Sequence, residues 1–203
     1  VESYFGMRKI ALGKDDKGLP RIFLNGKFVF QAGPLDQGFW PDGLYTAPTD
    51  AALRFDIEEM KRLGFNMVRK HLKVEPARWY YWCDTMGLLV WQDMPGGDGF
   101  LESDGSDFKR SKESAAQFEC EWVRIIEALR NHPSIVLWGL LNETPDGPVL
   151  RHAVSVLPAL RALDDTRVVM LNSGRWDAQG GGDLAGLECW REGDRPDPCV
   201  TRN

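Results

Sequence analysis

Apolar positions along the chain fall into two rhythms. Stripes at helical spacing run through Leu53, Ile57, Met60 and Leu63, then through Trp79, Cys83 and Met86. A third passes through Phe118, Trp122, Ile125, Ile126 and Leu129, and a fourth through Leu150, Ala153, Val154, Leu157 and Leu160. Between the stripes stand short, mostly apolar runs: Phe65-Asn66-Met67-Val68-Arg69, Leu88-Leu89-Val90-Trp91-Gln92, residues 134–141, and Arg167-Val168-Val169-Met170-Leu171. Such runs predict strands covered on both faces. The punctuation agrees. Pro48-Thr49-Asp50 opens the first helix and Gly64 ends it. Pro76 sits at a first-turn position of the second, which Gly87 stops, and Asn131-His132-Pro133 ends the third. Pro158, inside the fourth stripe, predicts a kink or a restart. Cys83 and Cys120 are placed on apolar helix faces and are expected to be buried thiols.

Ahead of the first helix, Arg21-Ile22-Phe23-Leu24 and Lys27-Phe28-Val29-Phe30 flank Asn25-Gly26. This is a hairpin signal, because a type I′ turn needs positive φ at both central positions. The second arm is expected to continue through Gln31-Ala32-Gly33 as the first strand of the next unit. Strand–helix alternation then implies a parallel sheet with right-handed crossovers. A doubly wound sheet would show a Gly-rich phosphate turn after its first strand, and Gly33-Pro34-Leu35-Asp36 is not one. Polar residues instead follow each strand: Asp36, Arg69 with His71, Gln92 with Asp93, Asn142 with Glu143, and Asn172. In a barrel these exits converge on one mouth, where such folds keep their chemistry. The fold class expected is α/β, a partial (β/α)8 TIM barrel of about five β/α units. Past Gly180 the pattern dissolves, and residues 178–203 are expected to form an irregular tail.

Composition narrows the functional classes. The 203 residues are short of the roughly 250 typical of a closed eight-stranded barrel. A net charge of −5 gives no footing for nucleic acid. No apolar run approaches the roughly 20 residues of a membrane span, so no membrane partner is expected. The opening residues Val1-Glu2-Ser3-Tyr4 carry no signal-peptide pattern, and localisation stays open. Three scattered histidines and four cysteines without CxxC spacing point to no metal site, and no cofactor is expected. His132 is expected to help end its helix and His152 to lie on a helix face. Eight tryptophans suit either sugar stacking or core filling.

The run Tyr4 to Ile10, the hairpin at Asn25-Gly26, the run Gly64 to Arg69 with His71, the run Asp84 to Asp93 and the run Arg130 to Glu143 together resemble glycoside hydrolase family 2, which includes β-galactosidases, β-glucuronidases and β-mannosidases. Tyr4-Phe5-Gly6-Met7-Arg8-Lys9-Ile10 resembles the strand that closes that family's immunoglobulin-like domain. Phe23-Leu24-Asn25-Gly26-Lys27 resembles the hairpin entering its barrel. Gly64-Phe65-Asn66-Met67-Val68-Arg69 with His71, and the run from Asp84 to Asp93, resemble its second and third strands. In the family one more residue usually separates that Arg from its His. Most specific is the run from Arg130 through His132-Pro133-Ser134 to Asn142-Glu143, which resembles the acid/base motif. The resemblance implies three parts: residues 1–20 as the end of an immunoglobulin-like sandwich and a linker, 21–177 as the N-terminal part of a TIM-barrel catalytic domain, and 178–203 as the tail.

The family retains anomeric configuration with two carboxylates, about 5–5.5 Å apart. Carried over, Glu143 matches the general acid/base and Asn142 the neighbour that bonds the sugar 2-hydroxyl; no residue matches the nucleophile. Arg69, His71, Asp36, Asp93 and Trp40 are expected to bind substrate, with Trp176 near the mouth as a second stacking candidate. Each has an ordinary alternative. Glu143 would sit in the first turn of a helix, Arg69 in a surface ion pair, the aspartates in caps or turns, and Trp40 in packing. The expected activity is hydrolysis of O-glycosyl bonds by a retaining exo-glycosidase, with a carbohydrate substrate and the remainder of the barrel as partners. This stretch alone is expected to be inactive. A non-catalytic carbohydrate-binding or assembly fragment and a different barrel glycanase are the alternatives.

Overall fold

The computed structural model describes residues 2–96, 110–144, 147–173 and 184–186. Strands β1 (Ile10–Lys14), β2 (Pro20–Leu24) and β3 (Lys27–Phe28) form a small antiparallel sheet in that order. Asn25 and Gly26 join β2 to β3 with φ of 52° and 76°, the backbone a type I′ turn requires. The second arm stops at Phe28, so it does not become the first barrel strand; that is a separate element, β4 (Leu35–Asp36). Residues 2–9 form no strand, and β1 starts at the last residue of the motif that ends in Ile10.

The larger sheet is parallel. It contains β4, β5 (Met67–Lys70), β6 (Leu89–Asp93), β7 (Ile135–Asn142), β8 (Val168–Ser173) and β9 (Leu184–Gly186), side by side in chain order. Helices α1 (Asp50–Arg62), α2 (Ala77–Met86), α3 (Lys112–Leu129) and α4 (Pro148–Leu163) connect the first five strands. A doubly wound sheet reverses strand order at a switch point. This one never reverses, which is the winding of a barrel wall. β9 falls in the stretch that shows no period in sequence, because three residues are too few to display one.

Helix ends follow local chemistry. The Thr49 side chain accepts the Ala52 N–H (3.1 Å) and caps α1. Leu63 is the C-cap and is 63% exposed, so the buried stripe of α1 stops short of it. The Ser111 side chain accepts the Ser114 N–H to cap α3. Pro158 neither restarts nor ends α4. It lies on the exposed side, where solvent can meet the carbonyl that its missing N–H leaves unpaired. Cys83 is buried as expected, but Cys120 is exposed. Two residues along a helix rotate a side chain by roughly 200°, which turns Cys120 away from the stripe of Phe118 and Trp122. Cys189, Cys199 and Trp176 lie outside the described residues.

The main core lies between the helices and the outer face of the sheet, where Ile57, Val68, Trp79, Val90, Ile126, Trp138 and Leu150 pack. A second cluster of Leu137, Val168 and Met170 meets Ile10 and Trp91. Ile10 belongs to β1, so the small sheet packs against the barrel strands. Arg8 fixes this arrangement by donating to the carbonyls of Pro133 (3.1 Å), Ile135 (2.8 Å) and Thr166 (2.9 Å), at the start of β7 and just before β8. Burial, with Arg167 beside it, lowers the Arg8 guanidinium to about 10. Asp84 of α2 ties the same end together. Its carboxylate accepts from Tyr4 Oη (2.6 Å), His132 Nδ1 (2.7 Å) and the Ser134 N–H (2.9 Å). His132 thus sits at the end of α3 and joins it to α2, while His152 on α4 pairs with Glu119 of α3.

Candidate active site

Four strand exits meet around Arg69. The guanidinium of this β5 residue donates to Asp93 Oδ2 of β6 (2.8 Å), to Asn142 Oδ1 of β7 (3.0 Å) and to Ser173 Oγ of β8 (2.9 Å). Its five donors in a planar fork make it the side chain suited to join three acceptors at once. His71 Nδ1 stands 2.7 Å from the same Asp93 oxygen. A carboxylate only accepts, so Nδ1 carries a proton, and in a neutral ring Nε2 is then the acceptor. The Ser173 hydroxyl donates to Asn142 Oδ1 (2.6 Å). Sequence alternation and strand order thus bring Arg69, His71, Asp93 and Asn142 into one network.

Asp93 anchors this network. It is 2% exposed, and its Oδ1 has no hydrogen-bond partner among the described residues. That oxygen fits because β7 presents Gly139 opposite Asp93; a Cβ at 139 would stand 2.3 Å from it. Asp93 therefore holds Arg69 and His71, whereas the sequence suggests a gripper of hydroxyls.

Glu143 follows directly, exposed, with φ of 50°. A non-glycine residue in the left-handed region costs about 1–3 kcal/mol, and neighbours must hold it there. The Ser173 carbonyl accepts the Glu143 N–H at 2.7 Å. α4 begins only at Pro148, so Glu143 is not a first-turn carboxylate of that helix.

Asp36 and Trp40 stand apart from this network. Asp36 is in register with Lys70, not with Arg69, so it shares the helix-facing side of the sheet with Lys70. There Lys70 Nζ bonds Asp36 Oδ2 (2.5 Å) and Glu75 Oε1 (2.8 Å), over the Trp79 ring at 4.4 Å. Nearby Asp56 is pushed up by burial, with the Asp36 charge adding to it. Lys73 bonds the carbonyls of Gly38 (2.6 Å) and Tyr45 (2.8 Å) and holds the loop that follows β4. Trp40 belongs to that loop. It is half-buried and packs against the main core, its backbone paired with Leu44. Gln92 faces the helix layer too, accepting from Tyr80 Oη (2.6 Å) and donating to the Lys73 carbonyl (2.8 Å).

Ser173 and Gly139 are the residues that sequence reasoning missed. The run of polar strand exits already includes Asn172, and extending it by one residue would have found Ser173. Among the described residues no group of three or more His, Cys, Asp or Glu could hold a metal ion, and no helix is long and apolar enough to cross a membrane.

A singly wound β/α wall with a basic, amide and carboxylate cluster at its strand exits is the layout of an α/β barrel that keeps its site at that end. The chain belongs to glycosyl hydrolases family 2: the family's TIM barrel domain matches residues 46–181. It is 28% identical over 188 residues to a β-galactosidase of Lactococcus lactis, covering 91% of this chain and 17% of that protein. It is 34% identical over 150 residues to a β-galactosidase of Vibrio cholerae, covering 70% of this chain and 13% of that one. The chain thus spans a small part of these relatives' length. The fold is shared with a β-galacturonidase of that family from Eisenbergiella tayi (TM-score 0.77, 23% identity, 91% of this chain and 32% of that one). It is also shared with Bacteroides uniformis β-glucuronidase 3 (TM-score 0.73, 23% identity, 92% and 23%).

Proposed function

We propose that this chain supplies the acid/base half of a retaining exo-glycosidase that cleaves O-glycosyl bonds, with Glu143 as general acid and then general base. The observation that carries this is the placement of Asn142-Glu143 at the exit of β7. The Asn142 amide is turned by Arg69 and Ser173, and the exposed Glu143 carboxyl follows it in a held left-handed conformation. In the first step Glu143 protonates the departing glycosidic oxygen while a second carboxylate attacks the anomeric carbon. In the second it removes a proton from the water that releases the sugar. The other acidic residues at these strand exits, Asp36 and Asp93, are committed to Lys70, and to Arg69 with His71. The attacking carboxylate is therefore assigned to none of the described residues. Asn142, Arg69 and His71 offer a donor pair, a cation and an acceptor to sugar hydroxyls.

Chemical rescue tests this role in the whole protein. With Glu143→Ala, azide should restore turnover of an activated aryl glycoside and yield a glycosyl azide of retained configuration, because the anion enters from the face the carboxylate has vacated. Hydrolysis as fast as wild type without azide, or a product of inverted configuration, contradicts the assignment.

A further inference from the structure

We propose that Ser173 is a positioning residue for the acid/base segment, and that the end of β8 acts as a clamp on residues 142–144; this rests on the reading of Glu143 given above. All three residues are held from β8. The Ser173 hydroxyl donates to Asn142 Oδ1 (2.6 Å), and its carbonyl accepts the Glu143 N–H (2.7 Å). The preceding Asn172, fully buried, accepts from the Thr144 N–H (3.2 Å) and donates to the Thr144 carbonyl (2.8 Å). The amide of Asn172 thus takes the place of a strand partner where the parallel ladder ends. Glu143 has φ of 50° in the middle of this grip, and its carboxyl leaves the sheet from a backbone fixed on both sides.

The side chain of Ser173 does something the backbone clamp cannot. Arg69 has no acceptor, and it donates both to Ser173 Oγ (2.9 Å) and to Asn142 Oδ1 (3.0 Å). The atom of Asn142 facing them must therefore be its oxygen. With its proton directed by Arg69, the Ser173 hydroxyl has one acceptor to serve, Asn142 Oδ1. Two donors then occupy that oxygen, and the two Nδ2 protons remain for an acceptor on the substrate. Ser173 is 2% exposed, so no solvent replaces it in this role.

Two measurements separate this proposal from the reading it rests on. The first needs no activity. In 15N–1H spectra of this chain, Ser173→Ala should move the Asn142 side-chain amide signals and speed their exchange about tenfold, the loss expected for one hydrogen bond aided by a cation. Ser173→Thr, which keeps the hydroxyl, should leave them in place, and an unmoved Trp138 indole signal checks the fold. If Ser173→Ala unfolds, Ser173→Cys takes its place. Unmoved Asn142 signals overturn the role given to the Ser173 hydroxyl. The second compares kcat/KM of the whole protein on a glycoside and on its 2-deoxy analogue. Ser173→Ala should cost about tenfold on the first and less than about twofold on the second. Equal losses overturn the positioning role. A wild-type protein that hydrolyses no glycoside sinks the glycosidase reading, while the spectra still decide whether Ser173 orients Asn142.

Discussion

A carboxylate buried beside a glycine makes Asp93 the most exacting residue of the site. Its Oδ2 serves Arg69 and His71, and its Oδ1 lies where a Cβ on residue 139 would stand 2.3 Å away. Gly139→Ala should therefore displace Asp93 and loosen both Arg69 and His71. We expect it to lower the urea-unfolding stability of this chain by about 1–3 kcal/mol, as overpacking does. The cost should shrink when Asp93 is already Ala, since contacting residues couple. An undiminished cost in that background would place the clash elsewhere. Sequence gives no warning of it, because Gly139 and Asp93 are 46 positions apart and meet only through β6–β7 register. Arg69, His71 and Asn142 are different. Each lies at the exit of a recognisable strand, so their meeting was legible as soon as the winding was. Asp36 was not, because a two-residue strand cannot show which face its aspartate takes; pairing with Lys70 decides that.

Elements here are tied by buried polar groups as well as by apolar stripes, and Asp84 links α2 to the end of α3 and the start of β7. Burial pushes its carboxyl up, but hydrogen bonds from His132, Ser134 and Tyr4 outweigh this and hold it below its ordinary 3.8. Thr166, Arg167 and Trp138 likewise outweigh burial at Asp164. A folded carboxyl held below its unfolded value adds stability that is complete above that value and is lost as pH falls through the folded one. The urea midpoint should thus drop as pH falls below about 4, and Asp84→Asn should flatten part of that slope. The same substitution should cost about 2 kcal/mol near neutrality, since it weakens a buried charge-assisted network. An unchanged slope would mean that Asp84 is not held as described. The stripes of α2, α3 and α4 and the Asn25-Gly26 turn could be read in advance, since periodicity and turn chemistry are local. The limits of β3 and the brief β9 could not, because neighbouring strands set them.

At the scale of the molecule, strand order carries the most weight. Six parallel strands lie in chain sequence without a reversal, and the cationic, amide and hydroxyl groups of β5, β7 and β8 converge where they exit. Alternating helix and strand patterns were enough to expect such a wall, and the polar residue after each strand was enough to expect its mouth. The spatial partner of Glu143 was not legible, since Ser173 meets it only when β8 lies down beside β7. If Glu143 donates the proton to the departing oxygen, its value depends on how much help that oxygen needs. The direct measurement is kcat/KM of the whole protein and its Glu143→Gln variant on two glycosides of one sugar, an acidic aryl glycoside and an unactivated alkyl glycoside. The loss should reach about 10²–10⁴-fold on the alkyl substrate and be far smaller on the aryl one. Equal losses on both, or no loss on the alkyl glycoside, would contradict the proton-donor role of Glu143.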